Sequence, residues 1–293
     1  MRGVHKIKRQ ETCMHRALRW TGITVAVLIG LLIVTSAAIY GLSERILRRT
    51  YEVPSVALTV PSDLQSVQEG RRLATIRGCV LGCHGKQADG EVLFDDAKIA
   101  RIVAPDLTAA VRRYSDADLA LIIRKGVHPD GRSLVVMPSA AYVSLSDVDL
   151  GRIIAFLRSL PASTGPGPSI SMGPLGRLGL VTGKFEVEAE RVARAAPPPA
   201  AVSKEAERGR YLARTVCAEC HGTSLHGDSN PDFTSPDLRV VAAYSPEAFS
   251  QLLRSGIALG GRQLGEMSTR ARNNLAQLSD AEISALYSYL HAM

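Results

Sequence analysis

The strongest constraint on how this chain folds is that it repeats itself. Gly70-Arg71-Arg72-Leu73-Ala74 recurs as Gly209-Arg210-Tyr211-Leu212-Ala213, and each copy leads into a pair of cysteines followed by His-Gly. The order of features downstream is also kept. Pro105-Asp106-Leu107 corresponds to Pro236-Asp237-Leu238, and Tyr114-Ser115 to Tyr244-Ser245. Gly131-Arg132-x-Leu134-x-x-Met137 corresponds to Gly261-Arg262-x-Leu264-x-x-Met267, and both copies close with Leu-Ser-Asp, at Leu145 and Leu278. Self-similarity at this spacing means two related units rather than one large core. The 293 residues therefore divide into domains at 62–162 and 204–293, of ordinary domain size.

The closing segment of each copy reads as a helix. Ser146 and Ser279 are placed as N-caps, with Asp149 and Glu282 three residues on, the spacing at which an acidic side chain reaches back to the cap. Apolar residues follow at Leu150, Ile153, Ile154 and Leu157, and at Ile283, Leu286, Tyr287 and Leu290, one helical stripe at identical offsets. The first helix of each copy is expected to begin near Ser66 or Ser203, and it carries a glycine that lets another helix approach closely. Strand patterns are scarce, so the predicted fold class is all-α.

Ahead of the repeats, 24 residues from Trp20 to Ser43 carry no charge. As a helix at 1.5 Å per residue they extend about 36 Å, enough to cross a ~30 Å hydrocarbon core. Six Lys/Arg precede this stretch and only Arg45, Arg48 and Arg49 closely follow it. The positive-inside rule then makes residues 1–19 a cytoplasmic tail, 20–43 a single-pass anchor, 44–61 a juxtamembrane linker, and the rest exported. The competing reading is a cleavable signal peptide ending near Ser36-Ala37-Ala38, but the apolar run exceeds the ~7 to 15 residues of a signal core.

The net charge of +7 is mostly that basic tail. Residues 62–162 hold thirteen Lys/Arg against twelve Asp/Glu, and 204–293 hold nine against ten. Near-neutral domains give no basic face for nucleic acid. Between them, residues 163–203 read as a stiff connector, with Gly165-Pro166-Gly167-Pro168 at one end and Pro197-Pro198-Pro199 at the other. Its middle, Leu175 to Phe185, is apolar enough to pack on a domain. Five Phe, eight Tyr and one Trp are few large side chains for two small cores, which suggests that a bound group fills part of them.

The cysteines carry the chemistry. Cys217-Ala218-Glu219-Cys220-His221 is C-x-x-C-H, the c-type haem attachment sequence. Thiols three apart at a helix end face the same way and can bond two vinyl groups of one haem, while the adjacent imidazole ligates iron. Cys79-Val80-Leu81-Gly82-Cys83-His84 has one extra residue. Residues four apart also share a helical face, so two thioethers can still form. A disulfide is the alternative, as is a zinc site in which Cys79, Cys83 and His84 recruit His128. Cys13, on the cytoplasmic side, reads as a free thiol.

A further iron ligand is expected from methionine. Met1 and Met14 precede the apolar span, Met172 lies in the connector and Met293 ends the chain, which leaves Met137 and Met267, each six residues after the glycine of a Gly-Arg pair. His/Met ligation raises the reduction potential and leaves no open iron site, which points to electron transfer rather than turnover of a substrate. His128 and His226 have no counterpart in the other copy and read as loop residues, available as ligands only if a methionine is displaced.

With Gly-x-x-Leu, C-x-x-C-H-Gly, Pro-Asp-Leu, Gly-Arg, Met and a closing helix in this order, the chain resembles class I cytochrome c in a membrane-anchored dihaem form. The resemblance covers 62–162 and 204–293. It implies two covalently attached haem c groups, bound through Cys217 and Cys220 with His221 and Met267 axial, and through Cys79 and Cys83 with His84 and Met137 axial. It places Gly70 and Gly209 where the first and last helices cross, and Pro105 and Pro236 in the loop bordering haem. The expected function is single-electron transfer on the periplasmic face of a bacterial cytoplasmic membrane. Electrons would pass between a quinol-oxidising complex or dehydrogenase and a soluble cytochrome or terminal oxidase. The alternatives are a dihaem peroxidase, which needs one iron to lose its methionine, and a cytochrome subunit of a periplasmic dehydrogenase complex.

Overall fold

A computed structural model of the chain describes residues 2–55, 57–197, 199–201, 203–229 and 234–293. Met1 and Pro198 lie outside the described residues, as do the side chains of Cys13 and Met14. The basic tail and the apolar stretch form one helix, α1 (Arg2–Leu47). Its segment Leu18–Leu47 holds an 18-residue stretch with a mean hydropathy of 2.5 that is unburied, so it is long and apolar enough to cross a membrane. The helix ends at Leu47 and not at Ser43, because charge does not stop a helix. Glu44 instead pairs with Arg48 one turn on, at 2.7 Å.

Each repeat is built around two crossing helices. In the first, α2 (Leu64–Ile76) packs on α6 (Asp147–Ser159). Asp63, not Ser66, caps α2, its carboxylate accepting from the Ser66 amide. Between them come α3 (Leu107–Arg113), α4 (Asp116–Lys125) and the short α5 (Ser139–Tyr142). The second repeat pairs α9 (Lys204–Leu212), capped by Ser203, with α13 (Asp280–His291). Between those lie α10 (Ala218–His221), α11 (Pro246–Ser255) and α12 (Glu266–Asn273). The apolar stripes are inside: Leu150, Ile153, Ile154 and Leu157 are buried, as are Ile283, Leu286 and Leu290.

Both crossings need glycine. A Cβ on Gly70 would stand 1.9 Å from the Arg152 carbonyl oxygen, and one on Gly209 would stand 2.0 Å from that of Ala285. Ser279 and Glu282 complete a reciprocal capping box. Ser146 caps α6 in the same way, but Asp149 is diverted to Tyr211 (2.6 Å) and Arg77 (3.2 Å).

The all-α expectation omitted a three-stranded antiparallel sheet. Strands β1 (Glu91–Asp96) and β2 (Ala100–Ala104) form a hairpin, and β3 (Ser169–Met172) pairs with β2 at the other edge. β1 is mostly exposed and acidic, without the alternation that marks a half-buried strand, and β3 comes from the connector. The connector is accordingly packed on the first repeat. After β3, α7 (Pro174–Val181) lies against α1, and α8 (Glu188–Arg194) docks on α4 and α5.

Glu188 makes that last docking pH-dependent. Its side chain is fully buried, and burial pushes its carboxyl up from 4.5 to about 7, outweighing Arg191 at 2.8 Å. Because the folded value is the higher, the stabilisation is complete below about 4.5 and is lost as pH rises through about 7. Hydrogen exchange in α8, corrected for intrinsic rate, is expected to report docking weaker by about 1.3 kcal/mol at about pH 8 than at about pH 6. Equal protection at both would refute this.

Candidate functional site

In the second repeat, α9 runs into a wide turn over Ala213–Cys217 and then into α10, so Cys217, Cys220 and His221 share one helical end. Such i→i+5 turns are rare and recur at functional sites. His221 is buried, and its Nδ1 lies 2.9 Å from the Pro236 carbonyl oxygen. A carbonyl can only accept, so Nδ1 carries the hydrogen and Nε2 keeps the lone pair a metal needs. Burial pushes this imidazole down from its ordinary value, keeping it neutral. Met267 follows in the first turn of α12, and both Met267 and Cys217 pack against the apolar core.

The first repeat reproduces this histidine. His84 Nδ1 lies 2.9 Å from the Pro105 carbonyl oxygen, and burial lowers its pKa likewise. Cys79 and Met137 also pack against the core. The extra residue is accommodated differently from the helical face expected of it. Val80 is extended, Leu81 takes a left-handed conformation (φ 58°), and the amides of Cys83 and His84 close i→i+5 bonds to Gly78 and Cys79. The segment is a looped turn with Leu81 exposed at its tip, not a helix.

None of the four cluster cysteines is disulfide-bonded. Burial, reinforced by the paired cysteine, pushes Cys79 and Cys217 up to about 12, while burial beside Glu219 pushes Cys220 up to about 11 and also raises Cys83. Redox-active or nucleophilic cysteine pairs have values shifted the other way. Among the described residues no three His, Cys, Asp or Glu side chains are grouped to hold a metal ion. His128 packs beside the Tyr114 ring at 6.2 Å. Paired neutral thiols, a neutral imidazole with a free Nε2 and a thioether on one apolar core suit a covalently held haem.

The two cysteine clusters meet across the junction between repeats, which no sequence signal foretold. Arg270 of α12 pairs with Glu266 (3.1 Å) and with Glu219 of the second cluster (3.4 Å). Its guanidinium also covers Gly78 and Gly82 of the first, where an added Cβ would stand 2.5 and 2.7 Å from it. Buried Asn274 donates to the Thr75 carbonyl at 2.7 Å. Tyr142 donates to the Arg77 carbonyl at 2.7 Å and touches Glu219 at 3.4 Å. Arg77 is almost wholly buried between Asp149 and Thr215. Further out, Arg72 holds Glu282 at 2.7 Å, keeping that carboxyl near 2 against the opposing effect of burial. The apolar core is continuous across the junction.

Residues 206–293 match the family model described as Cytochrome c. The chain is 23% identical over 256 residues to the fructose dehydrogenase cytochrome subunit of Gluconobacter japonicus, covering 78% of this chain and 52% of that protein. It is 27% identical over 266 residues to the gluconate 2-dehydrogenase cytochrome c subunit of Pantoea cypripedii, covering 78% and 59%. The chain thus spans little more than half the length of these relatives. The second repeat is a cytochrome c domain, with the covalent haem c that this implies, in a chain homologous to cytochrome subunits of dehydrogenases.

Proposed function

We propose that the chain is an electron-transferring dihaem cytochrome subunit, anchored by α1 in a bacterial cytoplasmic membrane with both repeats on the periplasmic side. It takes electrons from a dehydrogenase partner and passes them one at a time toward a soluble cytochrome or a terminal oxidase. The observation that carries the dihaem reading is the matched pair of histidines, each with Nδ1 2.9 Å from the carbonyl of its own Pro-Asp-Leu loop. Homology to dehydrogenase cytochrome subunits supports the partner class.

When bound, haem c supplies a one-electron centre whose potential is set by its axial ligands and surroundings. In this reading Cys217 and Cys220 tether one haem, with His221 and Met267 as ligands. Cys79, Cys83, His84 and Met137 do the same for the other. The proline carbonyls fix ring orientation and raise imidazole basicity. Asp106 and Asp237 brace those loops, each capping the following segment through its own carboxylate. Arg270, Asn274 and Tyr142 hold the two attachment segments together.

The test is the number of covalent haems per chain, by pyridine haemochrome absorbance of the full chain produced in a periplasm with haem-attachment machinery. Two haems per chain is the expected result. One haem, lost with Cys217→Ala and retained with Cys79→Ala, would overturn the dihaem reading.

A further inference from the structure

The connector reaches back to the first repeat beside Met137. At the start of α8 the Glu188 amide donates to the Leu134 carbonyl at 2.9 Å, and the Ala189 amide donates to Ser133 Oγ at 2.9 Å. Oε2 of the Glu188 side chain accepts from the Ala140 amide at 3.3 Å. One connector residue thus grips the chain at Leu134 before Met137 and at Ala140 after it. Its Cβ also seats on Gly126, where an added Cβ would stand 2.7 Å from it. Arg191 donates to Oε1 at 2.8 Å, and the Glu188 side chain is fully buried. Burying a carboxyl is costly unless its oxygens are bonded, and one of these is bonded to the methionine segment.

The second repeat makes the corresponding tie within itself. Aligning the repeats on Gly-Arg-x-Leu-x-x-Met puts Gly256 opposite Gly126, Leu264 opposite Leu134, and Ser268 opposite Pro138. Ser268 Oγ accepts from the Leu264 amide at 2.7 Å and donates to the Gly256 carbonyl, which fastens the turn that carries Met267. A Cβ on Gly256 would stand 2.5 Å from the Ser268 carbonyl oxygen. Proline cannot make this tie, having neither a hydroxyl nor an amide hydrogen. In the first repeat the Leu134 amide instead bonds the Gly126 carbonyl directly, at 2.7 Å. Glu188 then fills the place beside Gly126 that Ser268 fills beside Gly256.

We infer that Glu188 is the positioning residue for Met137, supplied by the connector where Pro138 stands in place of a serine, and that it keeps the thioether on the iron of the first haem. It acts through the backbone on either side of the methionine. This rests on the reading of Met137 as the ligand of a haem held by Cys79 and Cys83. The test uses the full haem-loaded chain, with Met137→Ala as the reference. It reads the midpoint potentials of the haems and the far-red absorption that ferric haem shows only with a methionine sulfur on iron. Glu188→Ala is expected to keep its covalent haems and to lose about half of the far-red absorption. It is also expected to lower the same potential that Met137→Ala lowers, because haem without its methionine ligand has the lower potential. The second haem, unchanged, is the folding control. Glu188→Gln retains an acceptor for the Ala140 amide and is expected to match the wild type. Wild-type potentials and absorption in Glu188→Ala overturn the inference. So do equal losses in the alanine and glutamine variants, or losses at both haems alike, which would mark a general loss of fold. An unchanged spectrum in Met137→Ala would instead overturn the ligand reading, and the inference with it.

Discussion

His221→Ala is expected to remove the haem of the second repeat and to unfold residues 204–293. The imidazole is buried, supplies the Nε2 lone pair and ties α10 to the 236–238 loop through the Pro236 carbonyl. Alanine loses all three roles at a domain whose apolar interior is meant to close around a cofactor. Ligation free energy is folding free energy when the site does not exist in the unfolded chain. The loss therefore exceeds what a small domain can spare from ~5 to 15 kcal/mol. Haemochrome absorbance should fall by one haem per chain, with a matching loss of helical circular dichroism. The contrast is Met267→Ala. It should keep the haem attached through Cys217 and Cys220 but lower its potential and admit small ligands, because a thioether ligand that favours the reduced iron has gone. A compact, haem-free second repeat in the His221 variant would show that the core stands without its cofactor.

The second large effect is expected from Gly209→Val. The nearest atom to an added Cβ is the Ala285 carbonyl oxygen at 2.0 Å, followed by Tyr289 Cβ at 2.7 Å. A backbone carbonyl in mid-helix cannot swing aside as a side-chain end can, so α9 and α13 must part. That opens the contact over Ile283, Leu286 and Leu290. Overpacking of this kind costs about 3 kcal/mol or more. For a domain of this size it corresponds to a melting temperature lower by roughly 10 to 20 °C. Gly179→Ala is the control: only Phe185 Cβ, at an ordinary 3.5 Å, faces the new methyl. It should be neutral or stabilise α7 by up to about 1 kcal/mol. Equal melting of the two variants would mean that the crossing tolerates separation.

What could be read from the sequence was local in origin. Serine caps at 146, 203 and 279 and the stripes behind two of them follow from hydrogen-bonding chemistry and the 3.6-residue period, and neither depends on distant contacts. The crossing glycines were legible because a repeat shows twice what a single copy hides. The C-x-x-C-H spacing needs only one helical turn to present two thiols and an imidazole together, and α10 supplies it. The proline carbonyls facing His84 and His221 lie 21 and 15 residues downstream, and the recurring Pro-Asp-Leu marked them.

Tertiary structure decided the rest. The first cluster shares the histidine hydrogen bond of the second, yet its extra residue loops out at Leu81, because Gly78 and Asn274 hold the turn from both sides and leave the tip to solvent. No local pattern announces that. β1 becomes a strand only because β2 and a connector segment some seventy residues away pair in register beside it. Arg270 looks in sequence like any solvated helix residue. Its role depends on how two near-neutral repeats dock, and that is fixed by Arg72, Arg77, Tyr142 and Asn274 finding partners in the other repeat, 77 to 210 residues away. The sequence by itself determined which residues cap, cross and present their donors. Only the packed molecule decided that the two cysteine clusters face each other across one part-buried ion pair, because such contacts are selected by the docking of whole surfaces and leave no period or spacing behind.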